Sequence, residues 1–355
     1  MKYFTKEWYE MCQNSNWHLN MSVSKNAEEF SEEYYKDLYT RRRRAFVKEQ
    51  KEVAEVLGNP FICTDYRELT DKVDAVLIAL PHDLHYECGM YFAHQKKHIL
   101  MEKPLCNTEE ECLRLIETCE QQDVTLMCAY PVRYWPGIVK LKEYLDSGEY
   151  GKTFMMSIWT EQLTQRDWDH WLTTARLGGG QLFSHGCHYI DLLLWFLGQP
   201  ISGTHTGTNL GTPWMLREGT SAVALKFANG AVAYHGATWG ARGTRLGYDF
   251  QVHTEKGLFD YDHHAGTITF YSREEAHEPG KPSKATKEVL WDGGKGSKVT
   301  NNEIDHFVDC VLNHKTPLTS GRTALESLRV IWKIYDAEKN NTVADLRDIN
   351  PNSYL

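Results

Sequence analysis

Three short apolar runs, each halted by a proline-bearing polar segment, constrain this chain more than any other feature of it. Val73–Leu80 reads VDAVLIAL, His98–Met101 reads HILM, and Val124–Tyr130 reads VTLMCAY. Such near-continuous runs suit strands buried on both faces. Between the second and third, Thr108-Glu109-Glu110-Glu111 forms a capping box, and Cys112, Leu115, Ile116 and Cys119 repeat at helical spacing. Strand, helix, strand, helix, strand with short loops implies right-handed crossovers and a parallel, doubly wound sheet. Ligands of such sheets bind outside the carboxyl ends of the strands. Here those ends carry Pro81-His82-Asp83-Leu84-His85, Glu102-Lys103-Pro104 and Pro131-Val132-Arg133-Tyr134-Trp135. A cleft is expected where they converge.

The pattern changes near residue 151. Thr153–Trp159, Ser221–Phe227, Ala231–Thr238, Gly247–His253 and Thr267–Tyr271 read as strands of an open, mostly antiparallel sheet with one solvated face. A helix from about Gly186, with Ile190, Leu193, Leu194 and Leu197 on its apolar face, ends at Gly198 and Pro200. Two more helices are expected over 302–312 and 323–338, and 273–298 reads as an exposed loop. The predicted fold class is α/β: an incomplete or remodelled Rossmann-like parallel sheet beside an α+β domain. The predicted divisions are a helical segment over 1–43, a partial dinucleotide-binding domain over 44–137, and a substrate-binding and oligomerisation domain over 138–355.

Composition excludes several classes. Apolar residues make up 41% and charged residues 25%, as in an ordinary globular protein. The net charge of −9, from 39 basic and 48 acidic residues, argues against a nucleic-acid partner, and Arg41–Arg44 reads as a solvated helix face. No apolar stretch is long enough for a membrane span, and nine cysteines without paired spacing suit reduced thiols in a cytoplasmic setting. The sixteen histidines include His82/His85, His185/His188 and His263-His264, yet no Cys-x-x-Cys or His-Glu-x-x-His accompanies them, so no metal site is predicted.

Two places could carry chemistry. In Gly178–Asp191 (GGGQLFSHGCHYID), three glycines permit close approach of a ligand or another segment. His188 and Asp191 then share a helix face, where a carboxylate could orient an imidazole acting as general base. The same spacing suits a polar helix start with a hydrogen-bonded histidine. Lys103 stands at a parallel strand's carboxyl end, suited either to a substrate or to a surface pair with Glu102. Trp135, Trp168 and Trp171 could stack on a sugar or simply pack in a core.

Ala79-Leu80-Pro81-x-x-x-His85, Glu102-Lys103-Pro104, Tyr130-Pro131-Val132-Arg133-Tyr134, Gly178–Asp191 and the stretch from Asn302-Glu303 through Thr316–Gly321 occur in one order. Together they resemble the Gfo/Idh/MocA oxidoreductases, the glucose–fructose oxidoreductase and inositol dehydrogenase family, over about residues 45–340. The resemblance implies a Rossmann domain holding NAD or NADP. It also implies a second domain that binds a small sugar or cyclitol and often forms a homo-oligomer. By matching position, Lys103 and His188 resemble catalytic residues of the family, supported by Asp191 and Ser184. Pro81, His82, His85, Glu102, Lys103 and Arg133 are expected along the cofactor, and Tyr130, Trp168 and His185 along the substrate.

Two departures stand out. Ser184 occupies the place where the family commonly has aspartate, so it can hydrogen-bond but supplies no charge. The Gly-x-Gly-x-x-Gly turn that would present N–H groups to a pyrophosphate occurs nowhere in the chain. Residues 1–43 are instead rich in large apolar groups, among them Phe4, Trp8, Phe30, Tyr34 and Leu38, and are expected to pack on the Rossmann remnant, with Trp17–Val23 as a possible replacement strand. The leading expectation is an NAD(P)-dependent oxidoreductase acting on a secondary alcohol of a sugar or cyclitol. A non-catalytic binding or scaffold descendant, and redox-neutral glycoside chemistry with retained NAD, are the alternatives.

Overall fold

The computed structural model describes residues 60–63, 65–165, 175–273, 285–295 and 300–351. Expectations for residues 1–43, Trp17–Val23 included, and for Trp168 and Trp171 lie outside them.

The three apolar runs are strands β1 (Ala75–Ile78), β2 (His98–Met101) and β3 (Leu126–Cys128), parallel and adjacent in that order. They are shorter than the runs because the prolines and polar residues beyond them leave the sheet. Val76 pairs with Ile99 and Ile99 with Leu126. Helices α1 (His85–His94) and α2 (Glu109–Gln121) make the crossovers. The capping box at the start of α2 forms: Glu111 N donates to Thr108 Oγ1 at 3.2 Å and Thr108 N to Glu111 Oε2 at 3.1 Å. On one face of the sheet Ile78, Ile99, Met101 and Cys128 are buried in a core with Phe92, Leu115 and Ile116. On the other, Leu100 and Met127 pack with Phe307.

Helix α3 (Pro136–Asp146), opened by a proline suited to its first turn, leads into the second sheet. Among the described residues this sheet has nine strands: β4 (Thr153–Glu161), β5 (Pro200–Thr208), β6 (Thr220–Phe227), β7 (Val232–Thr238), β8 (Tyr248–Thr254), β9 (Gly257–Asp262), β10 (Thr267–Arg273), β11 (Ala285–Asp292) and β12 (Ala344–Asp345). Their spatial order is β11-β10-β9-β8-β4-β7-β6-β5-β12. All neighbours are antiparallel except β4 and β7, which run parallel. Strand β11 corrects the exposed-loop expectation for 273–298. It is an edge strand, and its charged, largely exposed face hides the alternation a half-buried strand would show.

Helix α4 (Cys187–Leu197) crosses the inner face of this sheet and is buried on nearly every side. Its Tyr189 ring stacks on His235 of β7 and lies beside Phe250 of β8. Helices α5 (Asn301–Leu312) and α6 (Gly321–Lys339) return to the small sheet. Phe307 of α5 supplies its second face, and Cys128 N of β3 donates to Thr319 O at 2.8 Å just before α6. The carboxyl ends of the parallel strands therefore face the start of α4, where the candidate site lies.

Candidate active site

Lys103 follows β2, and its Nζ reaches across to donate to the Ser184 carbonyl at 2.8 Å. That carbonyl is available because residues Leu182–Gly186 form a π-helical turn immediately before α4. Widened turns of this kind loosen the regular carbonyl ladder and recur at functional sites. The lysine thus joins the parallel-strand end to the start of the helix that carries His188. Lys103 N donates to Glu102 Oε2 at 3.1 Å, which pins that carboxylate at the strand end.

His188 lies in the first turn of α4, 7% exposed, with its ring edge-on to Tyr130 at 5.5 Å and 6.0 Å from the ring of His185. Tyr130 is fully buried, and its hydroxyl is 3.0 Å from Ser327 Oγ of α6, so it supports the imidazole from below. His185 Nδ1 lies 3.3 Å from Gln181 Nε2 and its Nε2 3.4 Å from the Tyr248 hydroxyl. Ser221 Oγ in turn donates to Gln181 Oε1 at 2.9 Å. The Ser184 side chain is buried in the same turn.

Helical spacing suggested Asp191 as the partner of His188, and sequence position suggested Arg133 beside the cofactor. The structure brings these two residues to each other. Arg133 Nε and Nη2 donate to the two Asp191 carboxylate oxygens at 2.6 and 2.7 Å, and Arg133 Nη1 donates to Leu318 O at 3.3 Å. Burial explains the choice, because a carboxylate removed from water requires a cation and guanidinium matches both oxygens at once. Burial raises the Asp191 carboxyl above its ordinary value, and Arg133 opposes the rise.

His85 is likewise occupied by the backbone: its Nδ1 and Nε2 each lie 2.8 Å from a carbonyl, of Pro104 and Leu80 respectively. It ties the loops after β1 and β2 together. Its neighbour His82 is buried, with Nδ1 2.9 Å from Leu177 O. Burial lowers both imidazoles below their ordinary value. Pro81 caps the short turn that carries them.

Sequence reasoning missed a clasp beside this turn. Arg176 Nε and Nη2 donate to Asp83 at 2.8 and 3.2 Å, and Asn107 Nδ2 donates to Arg176 O at 3.2 Å. It also missed Gln181, which lies in the glycine motif without being singled out, and Tyr248, Glu218 and Tyr335, which belong to no local motif. The glycines at 178 and 180 have physical reasons: Gly178 has a φ of +76°, and a Cβ on Gly180 would fall 2.1 Å from the Glu218 carboxyl. Among the described residues no group of three or more His, Cys, Asp or Glu could hold a metal ion, and no helix is long and apolar enough to cross a membrane.

The residues at the strand ends fit the nicotinamide–ribose half of a dinucleotide. The pinned Glu102 carboxylate is suited to ribose hydroxyls, and the Lys103 ammonium stands next to it.

Comparison with known proteins agrees with this arrangement. Residues 25–130 match the family model described as the oxidoreductase family, NAD-binding Rossmann fold, and residues 138–260 match the GFO/IDH/MocA C-terminal domain. The chain is 28% identical over 165 residues to an uncharacterized oxidoreductase of Streptococcus pneumoniae, covering 44% of each protein. It is 25% identical over 279 residues to levoglucosan dehydrogenase of Pseudarthrobacter phenanthrenivorans, covering 68% of this chain and 71% of that one. Myo-inositol 2-dehydrogenase of Thermotoga maritima is 28% identical over 208 residues, covering 57% of this chain and 60% of that one. A levoglucosan dehydrogenase structure in complex with NADH and levoglucosan superposes with a TM-score of 0.73 at 20% identity, over 84% of this chain and 88% of that chain. With both halves matched in order and the shared fold spanning both sheets, the chain belongs to the Gfo/Idh/MocA oxidoreductase family, with its NAD-binding Rossmann domain.

Proposed function

We propose that this protein oxidises a secondary alcohol of a sugar or cyclitol, or reduces the matching ketone, using NAD or NADP. The observation that carries the reading is the Lys103 Nζ contact with Ser184 O, which holds a strand-end ammonium one helical turn from His188. A bound nicotinamide would accept or return the hydride. His188 would take the hydroxyl proton on its imidazole, and Lys103 Nζ would stabilise negative charge on the substrate oxygen as that proton leaves. Glu102 would hold the ribose, while Pro81 and His82 shape the wall beside it. Arg133, Asp191 and His85 act one layer back by fixing the elements that carry these groups. His185, linked to Gln181 and Tyr248, is placed to meet a substrate hydroxyl. Ser184 contributes its carbonyl to Lys103 and adds no charge to the proton path. Assembly of copies through the open sheet belongs to the same proposal.

Steady-state assays with NAD and NADP across a panel of monosaccharides, anhydrosugars and inositols test it. Reduction of the dinucleotide is expected on at least one of them, with His188→Asn and Lys103→Met lowering turnover by roughly 10²–10⁴. A folded parent protein that reduces neither cofactor on any of these substrates would sink the reading.

A further inference from the structure

An α-helix leaves its first four N–H groups without partners inside the helix, and its own capping side chain ordinarily serves one of them. The helical segment that begins at Gln181, and runs through the π-helical turn into α4, has no such cap. The residue preceding the turn makes no side-chain capping bond, and neither does Gly186 before α4. All four donors are nevertheless satisfied, by two residues distant in sequence. Gly180 N and Phe183 N donate to the Tyr335 hydroxyl of α6, at 3.2 and 3.3 Å. Gln181 N donates to Glu218 O at 2.8 Å, and Leu182 N donates to Glu218 Oε1 at 3.3 Å. The Tyr335 hydroxyl donates in turn to the same Glu218 oxygen at 2.5 Å. The first bond along the segment itself is Ser184 N to Gly180 O, at 3.0 Å.

The arrangement is supported from outside as well. Tyr335 lies edge-on to His205 with ring centroids 5.0 Å apart, and Glu338, one turn further along α6, accepts from His205 Nδ1 at 2.6 Å and from Gly207 N at 2.7 Å. The carboxylate of Glu218 occupies the space a side chain at 180 would need. A carboxylate at a helix N-terminus also faces the positive end of the helix dipole. Burial raises the Glu218 carboxyl, and the Tyr335 hydroxyl pulls it back down.

We infer that Tyr335 and Glu218 are positioning residues for catalysis: together they form an external cap that sets where the π-helical turn places the Ser184 carbonyl, and with it Lys103 and His188. The inference rests on the catalytic roles proposed above for those two residues. Neither capping side chain is assigned a contact with substrate. Their effect passes through the backbone of residues 180–183, so a shift in that backbone displaces the lysine tether and the imidazole together. Misplacement by about 1 Å can cost up to about a hundredfold in rate.

Tyr335→Phe and Glu218→Gln test this in the full chain, with Ile331→Val, a buried change on the same helix, as a control for general loosening. Two readouts are taken: the NMR titration of the His188 imidazole, assigned by loss of its signal in His188→Asn, and kcat against KM on the best substrate. Both cap variants are expected to shift the His188 titration midpoint and to lower kcat about tenfold or more with KM within about twofold, while Ile331→Val leaves both readouts unchanged. If Tyr335→Phe does not fold, Glu218→Gln, which preserves shape, decides alone. An unaltered His188 titration and kcat in the folded variants, with only a lower melting temperature, would overturn the inference. A shifted titration in a protein that turns over no substrate would uphold the cap's effect on His188 and defeat the functional reading instead.

Discussion

The Arg133 guanidinium and the Asp191 carboxylate meet face to face at 2.6 and 2.7 Å, with side-chain exposures of 2% and 1%. Arg133 follows β3 of the small sheet and Asp191 belongs to α4, so one buried two-point contact fixes α4 against the end of the parallel strands. Its ring neighbour Trp195, 5.1 Å from the guanidinium carbon, closes one side. Removing either partner strands a charge away from water. We expect Asp191→Ala to lower unfolding free energy by about 3–5 kcal/mol. Arg133→Lys should also destabilise, because an ammonium cannot match two oxygens at once. Urea denaturation of both variants checks this, and a loss below about 1 kcal/mol for Asp191→Ala would remove the pair from its clamping role.

The parallel strands were legible because burial on both faces writes apolar runs, and the prolines after them mark where the cleft begins. Helix α2 was legible because its capping box and its buried Cys112, Leu115, Ile116 and Cys119 are local. What escaped the sequence is long-range or polar by necessity. Strand β5, with Gly and Thr through Ser202–Thr208, carries little apolar alternation, and β11 is an exposed edge. The parallel neighbours β4 and β7 are set by the order in which strands join the sheet, which no local pattern encodes. The site shows the same division. Lys103 and His188 stand in motifs, whereas the partners that hold their surroundings lie far off: Arg133 is 58 residues from Asp191, and Tyr335 is 155 from Gly180. Asp191 was paired with His188 on spacing alone, since spacing along a helix does not reveal a buried cation arriving from another element.

The clasp formed by Asp83 and Arg176 joins the loop after β1 to the segment ahead of the glycine run. Both side chains are mostly covered, at 25% and 14% exposure, so the pair is screened less than a surface pair. A double-mutant cycle with Asp83→Asn and Arg176→Gln should return a coupling energy of about 1 kcal/mol or slightly more. Thermal unfolding of the four proteins supplies the number. Additive effects would show that the two segments are held by the His82 and Asn107 contacts without help from the charges.

Asp249 of β8 lies opposite Asp262 of β9, with Asp260 near by, and is 7% exposed. Burial first, and then the neighbouring carboxylates Asp260 and Asp262, push its carboxyl up to about 7. The folded state therefore retains a proton that the unfolded chain releases near pH 4. The resulting penalty is absent below that pH, grows as pH rises through the interval, and is complete above about pH 7. Asp249→Asn should stabilise the protein by about 2 kcal/mol at pH 8 and by little at pH 4. Equal gains at both pH values would assign the effect to packing or hydrogen bonding.

His235 carries the opposite sign. It is fully buried on β7, with Nε2 3.1 Å from Thr160 Oγ1 and its ring stacked on Tyr189 of α4. Burial, with a smaller contribution from His205, lowers its imidazole to about 3. Between that value and the ordinary histidine range the unfolded chain binds a proton that the folded protein refuses. Stability contributed by the neutral ring is thus present at neutral pH and is lost as pH falls below about 6.5. From pH 7 to pH 5 this one group should remove about 2 kcal/mol from the parent protein. In His235→Gln the same interval should show a shallower decline, even though the lost ring packing lowers stability at every pH. Urea midpoints measured at half-unit steps for both proteins give the two slopes. Parallel slopes would mean that His235 takes up its proton in the fold at the same pH as in the unfolded chain.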